Sequence, residues 1–221
     1  MKNVTGYDLV KLMAGAHGTL GVLSEVSLKV LPCPETEATL VLHGLDDTAA
    51  IAALAHALGS PYEVSAAAHD PVGKETLLRL EGFSQSVSYR TEQLKSLLGG
   101  EISVEEGSTG RWAAWRDVSC FADMDGDIWR VSCKPSEGPA LAAKAGALGV
   151  RYDWGGGLIW MHTSAGYDLR AALGAYDGHA TLVRGTGQPR FEPEDAGVAR
   201  ITAGLRARFD PRALLNSGLM G

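Results

Sequence analysis

Cysteine is scarce in this 221-residue chain, with only Cys33, Cys120 and Cys133, an odd number and no Cys-x-x-Cys pair. That excludes a disulfide framework and argues against a zinc or iron–sulfur site held by closely spaced thiolates. The burial habit of free cysteine leads us to expect reduced, mostly buried thiols. Long apolar runs are missing too. Nothing approaches the roughly 20 residues that span a bilayer, and the N-terminus lacks the basic, apolar and small-residue order of a signal peptide. The expectation is a cytoplasmic protein without membrane insertion. Positive charge is also in deficit, since 20 Lys and Arg against 26 Asp and Glu leave a formal net charge of -6. Such a chain carries no electrostatic footprint for nucleic acid. The six histidines show no His-Glu-x-x-His or other close ligand spacing, so no dedicated metal site is expected.

What is present is an ordinary globular composition, 45% hydrophobic and 21% charged, in a chain long enough to bury a substantial core. The periods alternate in an informative order. "TEATLVLH" alternates as a strand, Asp46 caps the Ala-rich helix "DTAAIAALAHALG", and Gly59 closes it. "YEVSAAAHD" and "ETLLRLEG" follow as two strands, "SQSVSYRTEQLKSLLGG" as a helix and "EISVEE" as a strand. After a connecting segment around "GSTGRWAAWRDVSCF", which reads as a helix, the order returns. "DIWRVSCK" is a strand, "SEGPALAAKAGALG" a helix, "VRYDW" and "LIWMHT" strands across a glycine turn, "GYDLRAALGAY" a helix and "HATLVRG" a strand.

Two tandem β-α-β-β-α-β units of ferredoxin-like order predict an α+β fold, with an eight-stranded, mostly antiparallel sheet and helices on one face. The strands near Thr39 to His43 and Ile128 to Cys133 should then be equivalent, and the helices Asp46 to Leu58 and Ser136 to Leu148 should share a face. The paired units occupy residues 35–190. Residues 1–34 and 191–221 stand outside them as flanks.

The N-terminal flank contains "MAGAHGTLGVLSEVSLKVLP", with Gly15, Gly18 and Gly21 spaced by three ahead of a β-branched stretch. Glycines let the backbone adopt positive φ and let a dinucleotide approach main-chain N–H groups, and Thr19 can add a hydroxyl donor. No Lys follows the glycines as in a P-loop, and no strand precedes a G-x-G-x-x-G. The local alternative is a helix C-cap followed by a bend into a strand.

Taken together, "KNVTGYDLVKLMAGAHGTLGVLSEVSLKVLPCP" and "FDPRALLNSGLMG" resemble the closing segment and C-terminal tail of the flavin domain in vanillyl-alcohol-oxidase-type FAD enzymes. With "DWGGGLIWMH" and "GHATLVRG", the whole chain is similar to the FAD-binding E subunits of glycolate oxidase (glycolate dehydrogenase) complexes. The resemblance implies a cap domain, residues 35–190, inserted between the end of a flavin domain, 1–34, and a returning helix and tail, 191–221. It implies that the N-terminal flavin-binding part is missing, so that this stretch alone would not retain FAD. Gly18, Thr19, Gly21 and the backbone of Val22 would lie along the cofactor, with Asn216 near its other end. His17 replaces an acidic residue common in relatives, and Ser217 replaces the proline of the tail. Both flanks carry apolar residues, among them Leu20, Val22, Leu23, Val26, Leu214, Leu215 and Leu219. These should pack against each other or be shielded by a second copy of the chain, as a homodimer.

In related 2-hydroxy-acid dehydrogenases the counterpart of "DWGGGLIW" is a H-x-G-D-G-N-x-H run, whose histidines can ligate a metal and help withdraw the hydroxyl proton. Here Asp153 and Trp160 stand in their places, and an indole has no lone pair to give. The resemblance therefore implies a supporting or electron-transfer FAD subunit, beside a catalytic flavoprotein subunit and an iron–sulfur subunit. No catalytic residue is assigned. A cofactor-free docking module and a self-sufficient oxidase of another hydroxy acid remain as alternatives. Among weaker motifs, "DMDGD" (Asp123 to Asp127) reads as a solvated turn. "RWAAWRD" offers either core tryptophans or a carboxylate clamp of Arg111 and Arg116 lidded by Trp112 and Trp115. The sequon at Asn3 is a pattern only.

Overall fold

The computed structural model describes residues 8–216, 218 and 219; the Asn3 sequon and Ser217 lie outside the described residues. The chain divides into two compact units, one of Pro32–Gln188 and one of Met1–Leu31 with Pro189–Gly221. Its elements run α1 (Leu9–Met13), β1 (Thr36–His43), α2 (Asp47–Leu58), β2 (Ala66–Asp70), β3 (Glu75–Gly82), α3 (Ser84–Leu98) and β4 (Ile102–Glu106). There follow α4 (Thr109–Arg116), β5 (Asp127–Ser132), α5 (Gly138–Lys144), β6 (Gly149–Asp153), β7 (Leu158–Thr163), α6 (Leu169–Leu173), β8 (His179–Arg184) and α7 (Ala196–Phe209).

Alternation along the strands decides the larger unit. In β1, Ala38, Leu40 and Leu42 point to one side, and Leu80 and Leu78 of β3 stand directly opposite the first two. The side chains between them, Thr39 and Val41, point to the other side, as a period of two requires. The strands form a single sheet in the order β4-β1-β3-β2-β6-β7-β5-β8, with antiparallel pairing throughout. Each half has the order 4-1-3-2 when its own strands are counted, and the halves meet through their second strands. β1 and β5 therefore occupy equivalent places, as expected. A continuous core joins sheet residues Leu40, Leu78, Trp129, Tyr152 and Ile159 to Leu54, Leu94, Leu141 and Leu173 of the four helices α2, α3, α5 and α6.

Several local expectations are corrected. The connector is not one helix, because α4 stops at Arg116 and Val118 takes a left-handed φ of 52° before a short 3-10 turn at Ser119–Phe121. Nor do all helices share a face: Trp112 of α4 packs with Val41, Ala68 and Leu77, whose side chains leave the sheet on the side opposite the four-helix core. The helix expected over Ser136 to Leu148 is a 3-10 turn followed by α5, ended by Gly146 at φ 63°. Gly174, also at φ 63°, cuts α6 to five residues. A left-handed residue closes the last turn and turns the chain away from the helix axis.

The seam between halves is narrow. β2 and β6 pair only at His69 and Tyr152 among the described residues. Above that pair sits the first residue of α2, Asp47, whose carboxylate accepts a 2.6 Å hydrogen bond from the Tyr152 hydroxyl and lies 3.5 Å from His69 Nε2. On the other face, Arg151 and Asp70 pair at 2.7 Å.

Asp46 does cap α2, accepting from the Ala49 N–H at 2.8 Å. Asp46→Ala should lower the unfolding free energy by about 1 kcal/mol, read from the urea midpoint. An unchanged midpoint would mean that water replaces the cap at no cost.

In the smaller unit, Asp195 caps α7 through the N–H groups of Gly197 and Val198. The strand that the local alternative would place after the glycines is not formed, since residues 22–34 carry no ladder and extended backbone becomes a strand only beside a hydrogen-bonding neighbour. Leu20 is buried, but Val22, Leu23, Val26 and Leu214 are exposed, so the expected mutual cover of the flanks is only partly made.

Candidate functional site

Beyond α1 the chain reverses twice within a few residues. Gly15 and Gly18 take φ of 79° and 73°, and His17 between them takes 49°. Glycine is suited to both reversals because it meets no Cβ clash there. Thr19 is buried beneath the turn, and its hydroxyl donates to the Ala16 carbonyl at 2.7 Å. The Thr19 hydroxyl is thus engaged within its own turn.

The C-terminal tail meets this turn. The Asn216 side-chain Nδ2 donates to the His17 carbonyl at 2.7 Å, across 199 positions of sequence. A Cβ on Gly18 would come within 2.9 Å of that same nitrogen, so a larger residue would have to push the amide aside. Asn216 is itself held by a bend in which the Leu215 N–H donates to the Asp210 carboxylate at 2.7 Å. Gly18, Gly21, Val22 and Asn216 line one concavity of about 450 Å³, whose walls include Leu214 and Leu215. Four of the five residues singled out from the sequence thus surround a single hollow, with Thr19 beneath. Its lining bears no charged side chain, so the hollow offers main-chain groups, one amide and apolar wall. Phe191, which the sequence did not flag, packs its ring 4.8 Å from that of His17.

In the larger unit the "DWGGGLIW" segment is a turn between β6 and β7. Trp154, Gly155 and Gly156 all have positive φ, of 52°, 64° and 98°. The two glycines also lie against α2, where added Cβ atoms would meet Leu58 at 2.5 Å and Ile51 at 2.8 Å. Asp153 accepts the Trp154 N–H at 2.8 Å, and burial pushes its carboxyl above the usual range. Asp153 and Trp160 both line a cleft of about 730 Å³ on the face of the sheet opposite the four helices. Among the described residues no group of three His, Cys, Asp or Glu side chains could hold a metal ion.

The remaining motifs resolve structurally. Arg111 is committed to Glu105 at 2.6 Å and to Glu75, so it is not available to a clamp. Trp112 is buried and donates its indole N–H to the Thr39 hydroxyl at 2.7 Å. "DMDGD" is a turn, but its last residue is not solvated: Asp127 is buried and accepts the Gly166 N–H at 2.8 Å. The cysteines are less covered than expected, with Cys33 and Cys120 exposed and Cys133 half-buried. They fall in the connector and chain turns rather than on inward-facing strand positions. Burial still pushes the Cys133 thiol up to about 11, so it is no ready nucleophile.

No protein-family model matches the chain. Compared with curated proteins, it is 34% identical over 223 aligned residues to the glycolate oxidase subunit GlcE of Escherichia coli (strain K12), an alignment that takes in 100% of this chain. The chain is GlcE-like along its whole length. It spans 59% of the length of that relative. A stretch of 40 residues, 18% of the GlcE-like chain and 8% of the relative, is 50% identical to the glycolate oxidase subunit GlcD of Bacillus subtilis (strain 168). A stretch of 41 residues, 19% of the chain and 9% of the relative, is 44% identical to a D-lactate dehydrogenase of Anaerostipes hadrus. Among the described residues of this GlcE-like chain, no helix is long and apolar enough to cross a membrane.

Proposed function

We propose that this GlcE-like chain belongs to an FAD-binding subunit of a glycolate (2-hydroxy-acid) oxidase or dehydrogenase complex. In that complex it has an electron-transfer or supporting role beside a catalytic flavoprotein subunit and an iron–sulfur subunit. The observation that carries the reading is the Asn216–His17 hydrogen bond, which joins two motifs at opposite ends of the sequence on one glycine-lined hollow. Residues needed only as separate turns have no reason to converge.

The hollow suits one edge of a dinucleotide. Gly18 and Gly21 present backbone without a side chain, Val22 lies at the rim, and Asn216 closes the turn while keeping its carbonyl oxygen available as an acceptor. When bound, FAD would supply a two-electron acceptor able to pass electrons on singly. The supporting role rests on the other unit. Where related dehydrogenases carry a histidine pair, Trp160 has only an N–H to donate, and Asp153 already accepts from the main chain.

The test is flavin content. Full-length protein should purify yellow, and Gly18→Val, which places a branched side chain against Asn216 at a positive φ, should lower bound flavin at least about tenfold at equal protein. Circular dichroism melting checks that the variant folds. Colourless wild-type protein, or full flavin occupancy in a folded Gly18→Val variant, would sink the assignment.

A further inference from the structure

The sheet has two edge strands, β4 and β8, and their main chains are occupied differently. At β8, Arg170 of α6 sets two guanidinium N–H groups on the Ala180 carbonyl, at 2.7 and 3.1 Å. At β4 no side chain among the described residues does the same. The His43 N–H donates to the Glu101 carbonyl at 3.1 Å, which fixes the phase of the ladder with β1. The main-chain groups of Glu101, Ser103 and Glu105 therefore point toward β1, and those of Ile102, Val104 and Glu106 point away from it. These outward N–H and C=O groups are a template for a further strand.

The flanks of that edge specify what would pair with it. Val104 stands opposite Leu40 in register, hence on the helix side of the sheet, and is 37% exposed. Beside it runs a groove of about 380 Å³ whose other wall is the side of α3 that carries Ser84, Ser88 and Thr91. Thr91 is only 6% exposed, yet its hydroxyl has no partner among the described residues, so this wall lacks the matching of a finished interior. Charge narrows the choice of occupant. Glu105 is matched by Arg111, and Lys95, the one cation lining the groove, is matched by Glu92 at 2.9 Å. The carboxylates of Glu101 and Glu106 have neither an ion pair nor a hydrogen bond among the described residues. A second copy of the chain would double this acidic charge along one ladder, whereas a basic strand would neutralise it. We propose that β4 and the groove beside it dock an extended, basic segment of a partner protein, which adds to the sheet beyond β4. Its apolar side chains would lie against Val104 and the groove, and its alternate Lys or Arg side chains would face Glu101 on the other side of the sheet. The proposal does not depend on the assignment of the hollow to FAD.

Fluorescence anisotropy at low ionic strength tests it, with full-length protein titrated into a dye-labelled heptapeptide of alternating lysine and valine. The expected result is saturable binding, at least about tenfold tighter than that of the peptide with glutamate in place of lysine. Methylating the valine amides, whose N–H groups would face β4, should weaken binding at least about tenfold. Methylating the lysine amides, which would face away, should weaken it less than about threefold. In the protein, Val104→Pro removes an outward N–H that the ladder with β1 does not use and should weaken the lysine peptide at least about tenfold. Glu101→Lys combined with Glu106→Lys should weaken it as much through charge. Circular dichroism melting checks that both variants fold, and the peptide comparisons stand even if they do not. Absence of saturable binding, equal affinity for the glutamate peptide, equal losses from the two methylations, or an unchanged Kd in either folded variant would overturn the proposal. A dimer in sedimentation equilibrium that Val104→Pro dissociates would overturn it too, by giving the edge to a second copy. Flavin content is unaffected by any of these results, so the two readings fail separately.

Discussion

Trp129→Ala is expected to lower the unfolding free energy by about 3–5 kcal/mol, a third or more of the stability of many domains. Trp129 is fully buried on β5, facing the helices, with Met161 and Leu182 beside it in register. The Arg170 guanidinium lies 5.0 Å from its ring centroid and is tied to the Ala180 carbonyl at 2.7 Å. Alanine would leave a void that this braced surround cannot close. Phenylalanine should behave differently, because the Trp129 indole N–H is buried and has no partner among the described residues. Removing it relieves an unsatisfied donor worth about 1–3 kcal/mol, which offsets part of the lost contact area. Guanidinium titration of both variants checks the pair. Equal losses for alanine and phenylalanine would mean that the N–H, not the volume, decides.

Asp47→Ala should cost about 1–3 kcal/mol, because it removes the acceptor of the Tyr152 hydroxyl and the carboxylate nearest His69 on the seam between the halves. The Tyr152 hydroxyl loses its 2.6 Å acceptor, and His69 loses the carboxylate 3.5 Å from Nε2 while keeping Thr76 at 2.9 Å from Nδ1. A pH signature accompanies it. Burial holds the His69 pKa below its ordinary 6.5, and attraction to Asp47 only partly offsets this. The unfolded chain therefore binds the proton more readily than the folded one, so stability is complete above the unfolded pKa and declines as pH falls through it. Without Asp47 the imidazolium is disfavoured further, and the decline should continue to lower pH. Melting temperatures between about pH 8 and pH 5 test this, with His69→Gln expected to flatten the decline near the ordinary histidine pKa. A His69→Gln profile parallel to wild type would assign the slope to other groups.

The element order was legible because it depends on local periods. "TEATLVLH" alternates wherever it is placed, and the matching runs in the second half alternate for the same reason. The position of α4 was not legible. Trp112 and Trp115 three residues apart indicate an apolar helix side but not which face of the sheet it covers, and the four longer-range helices already occupy one. The polar run "DMDGD" suggests a solvated turn, yet Asp127 is buried and meets the Gly166 N–H, 39 positions away. At the glycine stretch, residue type announced left-handed backbone correctly, but the engagement of the Thr19 hydroxyl depended on a turn geometry that several backbones would satisfy.

The path of the connector has a consequence for how such a protein can change. β4 lies at one edge of the sheet and β5 next to the other, so the chain between them must traverse the face that the four helices leave open. It sets Trp112 over the first half and Phe121 against Gly149 and His162 in the second. One wall of the cleft is thus built from a segment that contributes no rung to the ladder. Residues 107–126 can lengthen, shorten or exchange side chains while every strand keeps its partner, so the two duties of the domain can drift at different rates. Divergence among related chains would then be concentrated in what the open face accepts, with the scaffold inherited nearly intact.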